Sequence, residues 1–521
     1  MLKKIFILLL LFYLGNILAQ ELPANFNSTV RSLSKTSDST PASNSVERIL
    51  INGATIWLGT GSGLSKSTDN GNNWINYYNT QEFGDEGVSA IGYYNGIIWA
   101  TTWHSINDNG QIDGEGSGLH YSLDEGNTWT SITQPVDNAS DTVITYGTNL
   151  VKIVPKKDAK GNFIYDMAFT KNTIWIAAKV GGLRKSTDMG MTWKRIVLPP
   201  DNIDSITPTN QYSFVVNPLI NLSQQPFSVL AENDSTIYVG TAGGINKSTD
   251  GGISWVKFTY ANQQKPITGN QAFVLEKNEF DNSIWAATFK TVNQAEYWGV
   301  NVSKDGGLSW ENYLSGEKVR DFGFKYFGNP GAYTGADVFA ASENGLFRTS
   351  NNGATWLAAP PIIDDATKVP LNTTKFLSVE VEKKNDGSSN IWIGSSGNGL
   401  VRLNETSGFW NGEWKIFLAS QKLDSISETY AFPNPFSPDE EIVKIKYSTA
   451  SAANVTIRIF DFGMNLVRTL IQNAIRGTSD EQIANWDGRD ESGKIVPNGV
   501  YFYRVDIGGG KPLYGKIMVM M

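Results

Sequence analysis

Apolar positions in this chain gather in short β-branched and aromatic runs separated by polar turns. Thr55-Ile-Trp-Leu-Gly-Thr, Thr173-Ile-Trp-Ile-Ala-Ala, Thr236-Ile-Tyr-Val-Gly-Thr, Ser283-Ile-Trp-Ala-Ala-Thr and Asn390-Ile-Trp-Ile-Gly-Ser all read as strands. Upstream of each lies another apolar stretch, such as Val46 to Ile51, Phe227 to Ala231 or Phe376 to Val381. Downstream comes a polar octet closed by tryptophan: Ser67 to Trp74, Ser122 to Trp129, Ser186 to Trp193, Ser248 to Trp255, Ser303 to Trp310 and, more loosely, Thr349 to Trp356. A degraded seventh copy ends at Trp414. Aligned on Asp69, Asp124, Asp188, Asp250, Asp305 and Asn351, the units recur at roughly 45 to 65 residues, the range of propeller blades and repeat arrays. About four short strands per unit predict an all-β chain built on a seven-bladed β-propeller, with the octet in the last hairpin of each blade.

The octet resembles the Asp-box, or BNR repeat, of sialidases, sortilin-type receptors and several glycoside hydrolase families. Its chemistry predicts its spacing. The Asp side chain accepts hydrogen bonds from backbone N–H groups two residues on, the Gly two positions after it supplies a positive φ, and the Trp anchors the hairpin. Asn351 in the sixth copy keeps the turn-forming oxygen and loses the charge, which suits a hydrogen-bonding role and not a catalytic or metal-binding one. The box residues are therefore expected to be structural.

The chain ends differ from the repeats. Lys3 and Lys4, the apolar run Ile5 to Leu14 and the small residues before Ala19 fit a secretory signal peptide over 1–19. Residues 20–45 are rich in Ser, Thr and Asn and read as a flexible lead or one outer strand; 46–420 hold the propeller and 421–429 a linker. No later segment has the length of a transmembrane helix. Cysteine is absent, so neither disulfides nor a lipid-modified cysteine contributes. With Lys+Arg 43 against Asp+Glu 51, net charge −8 and no basic run, nucleic acid is not an expected partner.

From Tyr430 the character changes. Val443-Lys-Ile-Lys-Tyr447 and Val455-Thr-Ile-Arg-Ile-Phe460 alternate as half-buried strands, and turns at Asp487-Gly488, Ser492-Gly493 and Asn498-Gly499 separate further strands. An immunoglobulin-like β-sandwich over 430–521 is the expected form. Pro433-Asn-Pro-Phe436, Trp486-Asp-Gly-Arg489, Gly499-Val-Tyr-Phe-Tyr503 and Gly515-Lys516 before Ile517-Met-Val519 resemble, in that order, the C-terminal sorting domain of the type IX secretion system and related FlgD-like modules. The resemblance implies export across both membranes, interaction with the type IX machinery, and release or retention at the outer cell surface.

In a propeller, the last hairpins lie on one face and the loops joining strands two to three and blade to blade lie on the other, where ligands usually bind. Two of those loops are enlarged, Thr101 to Gly116 and Phe289 to Gly299. Trp103, Tyr297 and Trp298 are candidates to stack on sugar rings or partner side chains, with His104, Asp108, Asp113 and Glu115, and nearby Asp85 and Glu86, as polar groups; the alternative is that the aromatics pin their own loops. Ser105, Asn107, Asn109, Gly110, Ile112 and Asp113 partly match a calcium loop, but Gly116 replaces the bidentate Glu and position one lacks a carboxylate. No other cofactor is expected.

Enzyme readings meet obstacles. Only His104 and His120 could serve a Ser-His-Asp mechanism. A sialidase-like site needs an arginine cluster, and Arg184, Arg348 and Arg402 recur beside the box as apparent blade-edge residues. The Arg-Ile-Pro signature of sialidases is absent, and Asp-box xyloglucanases carry two propellers where this chain has room for one. The favoured expectation is a secreted or surface propeller that binds glycans or proteins. The alternative is a glycan-active hydrolase, sialidase-like or another Asp-box glycosidase, with paired carboxylates on the loop face.

Overall fold

A computed structural model describes residues 36–38, 40–108, 110–366, 368–384, 388–419, 428–438 and 442–521. The predicted signal peptide, most of the lead and linker, and Asn109 lie outside the described residues. The chain is all-β in its long elements, and among the described residues no helix is long and apolar enough to cross a membrane.

Seven antiparallel four-stranded units follow one another along the repeat region, each running from an inner to an outer strand; Ser205–Ile206 adds an outer strand to blade 4, and Val143–Tyr146, Asn149–Ile153 and Val215–Val216 form a further small sheet with one parallel pair. In blade 1 the strands are Val46–Asn52, Thr55–Thr60, Gly63–Ser67 and Trp74–Tyr77. The inner strands of blades 2 to 7 are Gly87–Tyr94, Ile164–Thr170, Pro226–Ala231, Gln271–Lys277, Val319–Asn329 and Phe376–Lys383. Each inner strand packs against the next, and the last packs against the first, so the sheets form a ring. Ser378 Oγ closes that ring by donating to the Val46 carbonyl at 3.1 Å. Burial is concentrated between sheets: Trp57, Trp175, Tyr238, Trp285 and Trp392, the aromatics read from the strand runs, are all within 2% of complete burial, as is Trp99 of blade 2. The predicted lead ends as structure, because Thr36–Asp38 pairs with Trp74–Tyr77 as a fifth strand of blade 1.

Each box is a turn that locks to the preceding blade. Ser122 Oγ donates to Asp124 Oδ1 at 2.7 Å and accepts the Gly126 N–H at 2.7 Å, while Asp124 Oδ1 also accepts the Thr128 N–H at 2.8 Å. The backbone donor to the Asp is thus four residues on, and not two as the motif suggested, because two successive left-handed residues, Glu125 and Gly126, widen the turn. The same pattern holds at Asp69, Asp188, Asp250 and Asp305. Asn351 reproduces it with Thr355 N–H at 2.9 Å. Gly126 lies against the preceding blade: a Cβ there would sit 2.5 Å from Tyr77 Oη and 2.7 Å from Trp57. Cations complete the joint. Lys66, Lys185, Lys247 and Arg402 each reach the box-turn carbonyl of the next blade, at Glu125, Gly251, Gly306 and Asn70, while lying over an aromatic ring of their own blade. Arg402 is therefore an edge residue as expected. Arg184 and Arg348 are not: Arg184 is buried against Asp137 at 2.7 Å, and Arg348 against Asp337 and Glu405. Arg184 turns away from the face of Lys185 because the strand alternates sides at each residue, whereas Arg348 stands where Lys66 and Lys185 stand and is drawn to Asp337 of its own blade and Glu405 of the next.

Beyond residue 428, Tyr430–Phe432, Val443–Thr449 and Ser479–Trp486 form one sheet. Leu466–Arg476, Ala453–Phe460, Gly499–Ile507 and Leu513–Val519 form the other. Val443, Ile445, Ile457, Trp486, Tyr503 and Ile517 share the apolar core between them. The Trp-Asp-Gly-Arg motif is a turn, in which Asp487 Oδ1 accepts the Arg489 N–H at 3.1 Å and Trp486 Nε1 donates to the Arg489 carbonyl at 2.9 Å.

Candidate functional site

The strand registers put the boxes and the enlarged hairpins at opposite ends of the blades. Ser122 pairs with Ile98, near the start of the second strand of blade 2, whereas Trp103, near the hairpin end, pairs with Gly87 at the start of the inner strand. At that second end every inner strand carries a register shift, between Val46/Arg48, Val88/Ala90, Ile164/Asp166, Pro226/Ser228, Ala272/Val274, Val319/Asp321 and Phe376/Ser378. A bulge leaves one residue unpaired and re-aims its side chain. The residues so released are Glu47, Ser89, Tyr165, Phe227, Phe273, Arg320 and Leu377, aromatic in three successive blades.

These aromatics join the two enlarged hairpins. Trp103 stacks on Phe163 with ring centres 5.2 Å apart, Phe163 meets Tyr165 at 4.3 Å, and Tyr165 meets Phe227 edge-on at 5.4 Å. Phe227 stacks on Phe273 at 4.1 Å, Phe273 meets Phe289 at 5.6 Å, and Phe289 stacks on Trp298 at 4.1 Å. The line crosses blades 2 to 5 without a break. Its inner members escaped the sequence reading because the bulge breaks the period-two pattern, and only cross-strand register reveals it.

In blade 2, His104 holds two acids. Its Nδ1 lies 3.1 Å from Glu86 Oε2 and 3.1 Å from Ser117 Oγ, and its Nε2 lies 3.6 Å from Glu115 Oε2. Ser117 Oγ in turn donates to Glu86 at 2.5 Å. The exposed imidazole therefore pins the hairpin and presents Glu86 and Glu115 on either side. Asp113 is exposed, with Oδ1 taking the Gly114 N–H at 2.9 Å; Asp85 is exposed as well. Asp108 closes the hairpin opposite Gln111. Residues 105–108 and 111–116 are thus paired strands of an extended hairpin, and among the described residues no group of three or more His, Asp or Glu is placed to hold a metal ion. The other imidazole, His120, is buried between Thr102 Oγ1 at 3.1 Å and Ser131 Oγ at 2.9 Å, and burial pushes it down to about 4.

In blade 5, the two neighbours Tyr297 and Trp298 part company. Trp298 is 4% exposed, stacked on Phe289 on one side and covered by Arg320 and Lys318, whose cations lie 5.6 and 5.7 Å from its ring centre. Its Nε1 donates to Glu296 at 2.9 Å. Trp298 anchors its loop, the alternative weighed for it. Tyr297 is 50% exposed and faces a cleft of about 600 Å3.

Inside the ring lies a second group of acids. Asp166 and Asp321 occupy the same position, each just after its bulge, and each reaches the next blade: Asp166 Oδ2 accepts the Val229 N–H at 2.8 Å and Asp321 Oδ2 the Val379 N–H at 3.0 Å. Glu276 and Glu380 lie two residues further along their own strands. Burial pushes Asp166 and Asp321 up to about 6 and Glu380 up to about 7, and Glu276 is raised well above the usual range by burial and by the neighbouring Asp321, Asp166 and Glu380. Glu47 is also raised by burial, against the pull of Arg48. Arg48, bonded to the Glu47 and Tyr165 carbonyls, faces these acids, and Arg320 also acts on Glu47.

No protein-family model and no curated protein matches the chain. Many solved structures do. An ancestral GH74 enzyme aligns with 92% of this chain and 63% of its own length, at 14% identity and a TM-score of 0.52. The GH74 xyloglucanase from Xanthomonas campestris aligns with 92% of this chain and 68% of its own, at 11% identity and a TM-score of 0.53. The GH74 enzyme of Niastella koreensis gives 94% and 75%, 14% identity and a TM-score of 0.50. The likeness is one of fold. This chain is a β-propeller protein, and it spans less than two thirds of the ancestral enzyme.

The loop face can thus offer aromatic surface, the paired acids around His104 and a cleft beside Tyr297. Among the described residues an arginine cluster of the kind a sialic carboxylate needs is not assembled there: Arg184, Arg195 and Arg348 are buried in ion pairs, Arg402 sits at the box end, Arg320 is engaged with Glu343 and Trp298, and Arg48 is bonded to the Glu47 and Tyr165 carbonyls.

Proposed function

We propose that the protein is an exported seven-bladed Asp-box propeller whose loop face binds an extracellular glycan or protein, followed by an immunoglobulin-like sorting module that directs it through a type IX-like route to the outer surface or the medium. The observation that carries the binding reading is the partly exposed aromatic surface at the end of the blades opposite the boxes, Trp103, Phe163, Tyr165, Phe273 and Tyr297, backed by the buried rings of Phe227, Phe289 and Trp298. Aromatic planes with hydrogen-bonding groups at their margins suit the apolar faces and hydroxyls of sugars as well as partner side chains. The export reading rests on the ordered motifs from Pro433 to Val519 and on the N-terminal segment, and the net charge of −8 speaks against nucleic acid.

A hydrolase reading is favoured by one feature, the raised carboxyls of Glu276 and Glu380, since a general acid must hold its proton near neutral pH. Against it, Asp166 and Asp321 are occupied in bonding adjacent blades. A glycan array probed with the purified protein, with every hit incubated and its products separated, distinguishes the two. Binding without cleavage is expected; cleavage that disappears in Glu276→Gln or Glu380→Gln would replace the binding reading with the enzyme reading.

A further inference from the structure

The cleft beside Tyr297 has a composition that selects among ligands. Lys290 and Tyr297 are directly paired across the blade-5 hairpin, so their side chains stand together on one side of it. Tyr260, from the connection between blades 4 and 5, brings its ring to 4.2 Å from the Lys290 ammonium and is 46% exposed. Asn312 and Ser315, at the end of blade 5, complete the wall, and the volume of about 600 Å3 falls within the roughly 300–1,000 Å3 of sites that enclose small ligands.

Charge gives the cleft its sign. Among the described residues no carboxylate lies within ion-pair distance of Lys290, whose ammonium lies over the Tyr260 ring. The one acid among the described residues that line the cleft, Glu296, is already engaged by Trp298 Nε1 at 2.9 Å and by Lys318 Nζ at 2.9 Å. An uncompensated cation over one half-exposed tyrosine ring and paired across the hairpin with another, on a chain of net charge −8, calls for an anion that also has a flat apolar face and hydroxyls at its edge.

We propose that this blade-5 cleft binds a uronic-acid saccharide, with the sugar carboxylate on Lys290, a pyranose face against Tyr297 and ring hydroxyls toward Asn312 and Ser315. This rests on the glycan-binding reading of the loop face and adds the chemical class and the subsite.

The test titrates the protein with trigalacturonate and a hyaluronan tetrasaccharide, and with galactotriose as the neutral counterpart. Either acidic probe should bind, about tenfold or more tighter than galactotriose, and should weaken as salt rises. Lys290→Gln should cost about tenfold for the acidic probe alone, and Tyr297→Ala should cost at least as much, with circular dichroism of both variants unchanged. Failure of both acidic probes to bind, or binding equal in Lys290→Gln and the parent, would overturn the proposal. If neutral glycans bind and are lost in His104→Ala but kept in Lys290→Gln, this subsite falls while the glycan reading stands. If no saccharide binds and a glutamate-rich peptide does, both fall.

Discussion

Carboxylates line both ends of these blades, and their surroundings have driven them in opposite directions. In the box turns Asp124 accepts the Thr128 N–H and hydroxyl and the Ser122 hydroxyl, and these donors hold it down at about 2. In the ring interior Glu380 accepts one N–H, lies beside Asp321, and is pushed up to about 7 mainly by burial. The same functional group is a permanently charged turn lock in one place and a proton-holding group in the other. Donor count decides the first case and desolvation the second. Repetition of a motif therefore reports what the fold needs locally, whereas the inward-facing acids, which recur in no sequence motif, carry the unusual chemistry.

The comparison can be broken at several points. The largest effect should come from the box glycine. Gly126→Ala places a methyl at a φ of +84° and within 2.5 Å of Tyr77 Oη, so it should cost about 2–4 kcal/mol, read by denaturant unfolding. Next is pH. Asp166, Asp321 and Glu380 have folded values above their unfolded values near 4, so the folded state holds the extra protons. Their contribution is intact below about pH 4 and is lost as pH rises through 6 to 7. Glu380→Gln should therefore stabilise the protein at pH 8, by roughly 1–2 kcal/mol, and change little at pH 5; an equal change at both pH values would refute the assignment. A smaller loss is expected at Asp305, which bonds the Ser309 N–H at 2.9 Å and the Ser303 hydroxyl at 2.8 Å. Asp305→Ala should cost about 1 kcal/mol, and Asp305→Asn less than half of that, because Asn351 already performs the turn in blade 6. Tyr297→Ala should leave the unfolding midpoint unchanged within error, since half of the ring faces solvent.

What the sequence made legible follows from range. The box is local, with every donor and acceptor inside eight residues, so its spacing declared the blades and their turns. The strand tryptophans were equally plain, since a β-branched and aromatic run between turns has one reading. Trp298 was not: the Lys318 and Arg320 that cover it arrive from the next blade, about twenty residues on in chain order. His104 looked like a free ligand group, but Glu86, in the segment before the inner strand, binds it. The bulge aromatics Tyr165, Phe227 and Phe273 were hidden for the same reason, because register between strands decides which way they point.

The central claim is that boxes hold the blades together while the opposite face meets the ligand. One glycan array, run in parallel on the parent protein, His104→Ala, Tyr297→Ala and Asp305→Asn, tests it directly. The account predicts that the parent and Asp305→Asn give the same hits at the same strength, and that one or both loop-face variants lose them while remaining folded. Hits retained by both loop-face variants and lost in Asp305→Asn would place binding on the box face and contradict the account.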